Sequence, residues 1–544
     1  MALVGKFAVN SATAQVDSSS TSSSGDGFFH AARGEAIDST GDQTIRGFNA
    51  DRMRARTYLT AAEEKKLIRR IDWHLMPLCS IMFLFKNLDV DNNCKVSNVR
   101  IMNRGTSHNI LNQLNITSDE FALVTVLYYV GIALPMPQCF RIPYIVFEAP
   151  STLLLKRFSP SRWLSRIMLT WGIVLALHVP VSNKQGLYAA RFFLGLAEAD
   201  LMKCLFGFYT FTYAVTSLEY SVAYWLMALI LCLGLAACPV GNGMRYLLSV
   251  ESLDYSFANR LFLVEAIATI IVSFGIWFLL PDFPETASWL TEKERAVIQA
   301  RLPENAPRAS EENFNVSEIW ASLKDKRLWL FTLIWALFTV GTSGVRFYQP
   351  TVIANLGFTT IAQAQLLNLP ISVFGLFVIF VTGYFSDNGR LPRPLYPLSF
   401  LLIILVSYTV LIVFPNNGGV YAATLIGNAV TAAWYPMMWP WRVQTTSRAT
   451  GSAFSIGFVN SYGQIGGVIG PQLFRSAYAP KYTVSFSVAA GLVGACSITT
   501  LVTWWITRQT ERDTRKLKRA RIATSKRNEA ILNDIVDNDL TRAP

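Results

Sequence analysis

The chain has 544 residues, of which 52% are hydrophobic and 15% charged, with a mean hydropathy of +0.32. Soluble domains carry about 25% charged residues, and here Lys and Arg gather in a few clusters between long apolar runs, which excludes an ordinary water-soluble domain. The net charge of +12 reads as topology signals and contacts with anionic membrane lipid rather than as a nucleic-acid footprint, because the basic clusters punctuate apolar runs of the length a bilayer demands.

Residues 1–59 contain the polar run Asp17-Ser-Ser-Ser-Thr-Ser-Ser-Ser-Gly25 and little that packs, so they are predicted to form a disordered cytosolic tail and a target for phosphorylation. Met1–Ala12 lacks a compact apolar core of signal-peptide length, which leaves insertion to the first membrane helix. Thr60-Ala-Ala-Glu63 has the spacing of a capping box and opens a short basic helix, Glu63–Arg70. Six apolar segments follow, at 71–88, 120–149, 163–181, 187–215, 222–248 and 260–280. A charged connector occupies 281–327. Six more apolar segments lie at 328–356, 364–386, 394–414, 418–440, 452–474 and 483–507, before a basic tail over 508–544. The pattern predicts an all-α membrane protein: twelve transmembrane helices in two six-helix bundles, 60–280 and 328–507.

Lys and Arg set the orientation. With both tails in the cytosol, the inside segments 156–162, 281–327, 387–393 and 441–451 are basic, while 249–259, 357–363 and 415–417 on the other side contain no Lys or Arg. Segment 216–221 is the inside exception, with no basic residue, and the outside segments 89–119 and 475–482 carry a few cations. Asn115-Ile-Thr117 is a glycosylation sequon on the outer side. The plasma membrane is the expected location.

Charged groups inside apolar runs cost several kcal/mol by most scales and need a reason. They are Glu148, Arg191, Glu198, Glu265 and Arg346, the last beside Tyr348 and Gln349. Arg191 and Glu198 are seven residues apart and share a helix face. Arg346 or Arg191 suits the anchoring of an anion, because guanidinium pairs bidentately with carboxylate. Glu198, Glu265 or Glu148 suits a proton carrier, since burial raises a carboxyl pKa. Structural ion pairs, or groups snorkelling from helix ends, explain the same residues. Trp434 leads the cluster Trp434-Tyr-Pro-Met-Met-Trp-Pro-Trp441, which suits either a cavity wall or an interfacial aromatic belt. The glycines between Gly463 and Gly470 suit hinges and close helix contacts. Seven cysteines and four histidines show no metal-ligand spacing, and no Walker, dinucleotide or nucleophile-elbow motif is present, so neither metal, cofactor nor enzymatic reaction is predicted.

Several stretches together resemble the allantoate permease-like anion:cation symporters, fungal members of the major facilitator superfamily. They include Arg69-Arg-Ile-Asp-Trp-His-Leu-Met-Pro-Leu78, Asn98-Val-Arg-Ile-Met-Asn103 and the run from Pro143 to Trp163. Arg191-Phe-Phe-Leu-Gly-Leu-Ala-Glu-Ala199, Leu280-Pro-Asp-Phe-Pro-Glu-Thr-Ala-Ser-Trp-Leu290 and Gly383-Tyr-Phe-Ser-Asp-Asn-Gly-Arg390 complete the set. The resemblance covers most of 60–515. It implies proton-coupled uptake of a small organic anion (nicotinate, pantothenate, biotin or allantoate) by a monomer. It also implies a gating role for Asp387 and Arg390. Two stretches depart from the family pattern. Val130–Ile142 inserts roughly 11 residues into a segment already near full span, with Pro135 and Pro137 in it, and 200–258 carries Asp200 and Lys203 without the family's basic loop. These departures keep open a non-transporting sensor or an inactive product, and an exporter of the same fold is the other alternative.

Overall fold

Two clusters of buried side chains, one on each side of the connector, organise the helices. The computed structural model describes residues 22–24, 28–34, 55–101, 120, 123, 124, 127, 160–181, 183–198, 257–280, 287, 289–301, 316–355, 367–387, 389–414, 416–444, 455, 458–460, 462, 463, 465–474, 478 and 482–531. The first cluster is built by α1 (Ala61–Ile101), α2 (Pro160–Ala176), α3 (Lys184–Glu198), α4 (Phe257–Leu279) and α5 (Glu292–Arg301). Along α1, Leu67, Ile71 and Leu75 fall on one face at helical spacing and share a buried core with Leu164, Trp171 and Ile276. Helix α2 lies against both α3 and α4. Gly172 permits the close approach to α4, since a Cβ there would sit 2.9 Å from Ile270 Cγ1.

The second cluster is built by α6 (Val316–Lys324), α7 (Lys326–Asn355), α8 (Asn368–Asp387), α9 (Leu395–Val413), α10 (Asn417–Gln444), α11 (Ile465–Leu473) and α12 (Thr483–Lys526). Helix α7 is its hub, touching α10, α11 and α12 and also α1 of the first group. The α7–α11 contact is made backbone to backbone. A Cβ on Gly466 would lie 2.4 Å from the Thr339 carbonyl carbon, one on Gly470 2.9 Å from the Gly344 nitrogen, and one on Gly463 2.6 Å from Trp335 Cδ1. The glycine run therefore serves close helix contact, as small residues do where lipid surrounds the bundle.

Among the described residues, the helices Lys326–Val345, Leu395–Val413 and Thr483–Lys526 contain stretches long and apolar enough to cross a membrane, and Leu263–Leu279 and Val373–Ser386 are shorter apolar helices. Phe278, Ile271, Val413 and Trp505 turn outward from these helices, as a lipid-facing surface requires. Several hydroxyls inside the helices are satisfied locally: Thr332, Thr424 and Thr503 each donate to the carbonyl four residues back, at 2.7, 2.8 and 2.7 Å.

Six of the twelve predicted segments lie within a few residues of the helices, 394–414 against Leu395–Val413 being the nearest match. Three differ. The short basic helix and the segment 71–88 are one 41-residue helix, α1, because nothing from 89 to 101 breaks it: that stretch has neither Pro nor Gly. The last segment runs on from 507 to Lys526 for the same reason. Third, part of the region expected to be a disordered tail is folded. Residues Ser22–Ser24 (β1) and Phe28–Ala32 (β2) join Glu529–Ile531 (β3) in an antiparallel sheet of order β1-β2-β3. Its register pairs Ala31 with Ala530. The predicted segment 222–248, nearly all of 120–149, the part of 187–215 after residue 198, and the departures at 130–142 and 200–256 lie outside the described residues.

The capping box at Thr60 is formed: the Thr60 N–H donates to Glu63 Oε2 at 2.9 Å, and the Glu63 N–H donates to Thr60 Oγ1 at 3.3 Å. A second box, not anticipated from the sequence, opens the connector helix α5, where the Thr291 N–H donates to Glu294 Oε2 at 2.9 Å. The same carboxylate accepts from Arg70 Nη2 at 2.6 Å. His74 stacks on Trp289 with centroids 4.6 Å apart, and the Arg70 guanidinium lies 5.6 Å from the same ring. Ala287, Leu290 and Ile298 are buried in the first core. The connector is thus docked on the base of α1.

Two outcomes test this arrangement. Gly466→Ala forces a methyl into the α7 backbone and is expected to destabilise the protein by about 1–3 kcal/mol, read as a lower Tm in detergent. Glu294 is held below the ordinary carboxylate pKa: burial works to raise it, but the Thr291 N–H and the Arg70 guanidinium outweigh that. A depressed folded pKa adds stability above the unfolded value and loses it as pH falls through the folded one. Connector protection in hydrogen exchange should therefore be complete at neutral pH and begin to fall once pH drops below the ordinary carboxyl value of 4.5. Glu294→Gln should remove that acid limb.

Candidate functional site

Buried polar groups mark where an apolar bundle could handle a polar cargo. In the first core, Arg191 sits on α3 at 0% exposure. His178, in the turn after α2, is also buried and lies within electrostatic reach of Arg191. Its Nδ1 is 3.0 Å from the Val174 carbonyl oxygen. Glu265, on α4, is buried in the same half, as is Thr269 one turn further on. Ser165 Oγ on α2 donates to the Ser273 carbonyl of α4 at 2.7 Å, tying the two helices that flank this region. At the far end of α3, Lys184 pairs with Glu120 at 3.1 Å, and Tyr188 Oη donates to the Glu120 carbonyl at 3.1 Å. Both members of that ion pair are more than a third exposed, so it holds the helix end at little energetic gain.

In the second core the aromatic groups close on one another. Trp434 is fully buried, stacked on Phe338 with centroids 3.7 Å apart and edge-on to Trp335 at 5.1 Å. Phe338, Trp335 and Tyr435 surround it within the second core. Tyr408 Oη donates to the Gly341 carbonyl at 3.1 Å, joining α9 to α7.

By sequence Arg442 falls in the basic segment 441–451, yet it is 1% exposed. Its guanidinium lies 4.6 Å from the Trp439 ring and 5.3 Å from the Trp335 ring, and Nη1 donates to Asn460 Oδ1 at 3.4 Å. Trp439 precedes it by three residues and so shares its helix face. That spacing was the one local signal available, since Trp335 and Asn460 come from distant parts of the chain.

The other predicted residues fall as follows. Arg346, Tyr348 and Gln349 lie on α7, Glu198 ends α3 and Asp387 ends α8, but their side chains lie outside the described residues, as do Glu148 and Asn115 altogether. Arg390 is exposed in the turn after α8. Its carbonyl accepts from Arg519 Nη2 at 3.0 Å, and the Gly389 carbonyl accepts from Arg519 Nε at 3.0 Å. No local pattern hinted that Lys518 and Arg519 reach this loop. Among the described residues no group of His, Cys, Asp or Glu is placed to hold a metal ion.

A profile of the Major Facilitator Superfamily matches residues 102–471. The chain belongs to this superfamily. It is 27% identical over 500 residues to the MFS-type transporter cnsO of Penicillium expansum, covering 88% of this chain and 90% of the relative. It is 25% identical over 459 residues to the major facilitator-type transporter hxnP of Emericella nidulans, covering 82% and 87%. Among solved structures it resembles the nucleoside transporter NupG (TM-score 0.51, 11% identity, 78% of this chain and 98% of that one). It also resembles the human organic anion transporter MFSD10 (TM-score 0.51, 12% identity, 79% and 99%). The fold is the all-α major facilitator fold, and the protein is a multi-pass membrane transporter of small molecules rather than an enzyme.

The contrast between the two cationic sites gives a measurable difference. Arg442→Ala empties a cage formed by two tryptophans and is expected to cost about 2 kcal/mol or more, while Glu120→Gln should stay within about 1 kcal/mol. Thermal unfolding of both variants in the same detergent checks the order.

Proposed function

We propose that this transporter imports a small organic anion together with protons, across the plasma membrane and as a monomer, with the connector and both tails in the cytosol. The observation that carries the reading is Arg191, a guanidinium at 0% exposure inside the first half. A charge held out of water in a membrane bundle is expensive and is kept for substrate, ion or proton chemistry. The resemblance to the allantoate permease-like symporters supports the same class, with vitamin-like carboxylates or allantoate as substrates.

In this mechanism Arg191, from the first half, and Arg346, from α7 of the second, bind the substrate carboxylate between the two bundles. Tyr348, Gln349 and Trp434 supply the polar and aromatic surroundings. Glu198, with Glu265 and Glu148 as the other carboxyls of the first half, takes up a proton on the outer side. Neutralising that carboxylate removes the charge penalty on reorientation, and the bundles rock about the site. Asp387 and Arg390 gate the connector end, and Asn115 carries a glycan on the outer face.

Purified protein in liposomes tests this with labelled nicotinate, pantothenate, biotin and allantoate. An inward proton gradient should drive accumulation of at least one. Arg191→Ala should weaken it by about 10–100-fold, the loss of one charge-assisted contact, and Arg191→Lys by less. Glu198→Gln should abolish gradient-driven accumulation while sparing substrate exchange. Transport in the opposite direction, or none of the four carboxylates, defeats the reading.

A further inference from the structure

We propose that the extension of α12 beyond the apolar segment, with β3, is a strap that holds the connector ends of the two halves together and must yield when they separate. The proposal rests on the two-bundle transporter fold and not on any substrate or coupling ion.

One end of the strap is fixed to the second half. Where α8 stops, its last carbonyls have no helical partner, and the turn that follows places Gly389 at a φ of 62°. Lys518 Nζ donates to the Ser386 carbonyl at 3.4 Å, and Arg519 donates to the carbonyls of Gly389 and Arg390, both at 3.0 Å. Cations at a helix C-terminus also meet the negative end of its dipole. Lys518 is buried in this contact, so the joint is packed and not merely a surface pairing.

The other end is fixed to the first half and the connector. Strand β3 pairs with β2, and Arg33, at the end of β2, donates from Nε to the Glu529 carbonyl at 3.0 Å and forms an ion pair with Glu64 of α1. Asn528 adopts a φ of 57°, a left-handed conformation that Asn tolerates. Its Oδ1 accepts from the Ala61 N–H at 2.9 Å, so a residue near 530 caps the first turn of α1. Arg56 donates to the Ala300 carbonyl of α5 at 2.9 Å and to the Ile531 carbonyl at 3.3 Å. A single rigid helix thus leaves the second half and ends hydrogen-bonded to the first. Parting the connector ends requires one of the two joints to break.

The test uses no substrate. Spin labels at Lys65→Cys (α1) and Leu391→Cys (the turn after α8), both exposed sites, are placed in a cysteine-free background in nanodiscs and their separation is measured by double electron–electron resonance. The intact chain should give a predominantly short, narrow distribution. Ending the chain after Asn528, and separately Arg33→Ala with Asn528→Gly in the full chain, should each raise a longer-distance population several-fold. Lys518→Ala with Arg519→Ala, which frees the opposite joint, should do the same. The point variants keep the test decisive if the shortened chain fails to fold. Superimposable distributions in the point variants overturn the proposal, as does a response to one joint alone. Because no transport is read, failure here is distinguishable from failure of the proton-coupled import reading.

Discussion

A bilayer gives helices no hydrophobic reason to stick to one another, since lipid tails are as apolar as leucine. Helices hold together there only where their surfaces fit. The α7–α11 contact meets that constraint most directly: Gly344 and Gly470 face each other so closely that neither tolerates a methyl group, and Gly463 and Gly466 accept Trp335 and Thr339 in the same groove. Helix α7 also touches α10, α12 and α1, and α8 and α9 pack in turn on α10. The aromatic cage around Arg442 follows from it, because Trp335 reaches that guanidinium only when α7 is seated against the chain on either side.

The two halves solve the burial of polar groups differently. In the second, many buried hydroxyls turn inward on their own helices, as with the threonines, others such as Tyr408 donate to a neighbouring helix's carbonyl, and Arg442 is enclosed by rings. In the first, Arg191, His178 and Glu265 are buried on three neighbouring stretches of chain. Helix hydroxyls that bond to their own backbone add little chemistry. Ionisable groups on different helices respond to any shift between those helices, which is what a transport cycle produces.

What could be read from the sequence divides along the same physical line. Segments such as 394–414 were legible because length and uniform apolarity are local properties that a bilayer enforces residue by residue. The capping box at Thr60 was legible because its two members are three residues apart. Arg442 was misplaced because a cation at a helix end normally meets water, and its burial depends on Trp335 and Asn460, which no local window contains. The strands at 22–32 were invisible for a similar reason. A serine-rich, weakly hydrophobic stretch has no tendency to fold alone, and its partner lies roughly 500 residues away in the chain, beyond any local pattern. The carboxyl-side extension of α12 was treated as a tail because its charges rule out a membrane span, although the same charges do not rule out a helix.

That helix is 44 residues long with no proline and no break between its apolar part and its extension. It is therefore a lever. The 19 residues from 508 to 526 project about 28 Å past the apolar part at 1.5 Å per residue. A tilt of only about 10° would swing the far end by about 5 Å, as much as the spacing between paired strands. Small reorientations in the membrane are thereby converted into a displacement at the β2–β3 ladder as large as the spacing between its strands.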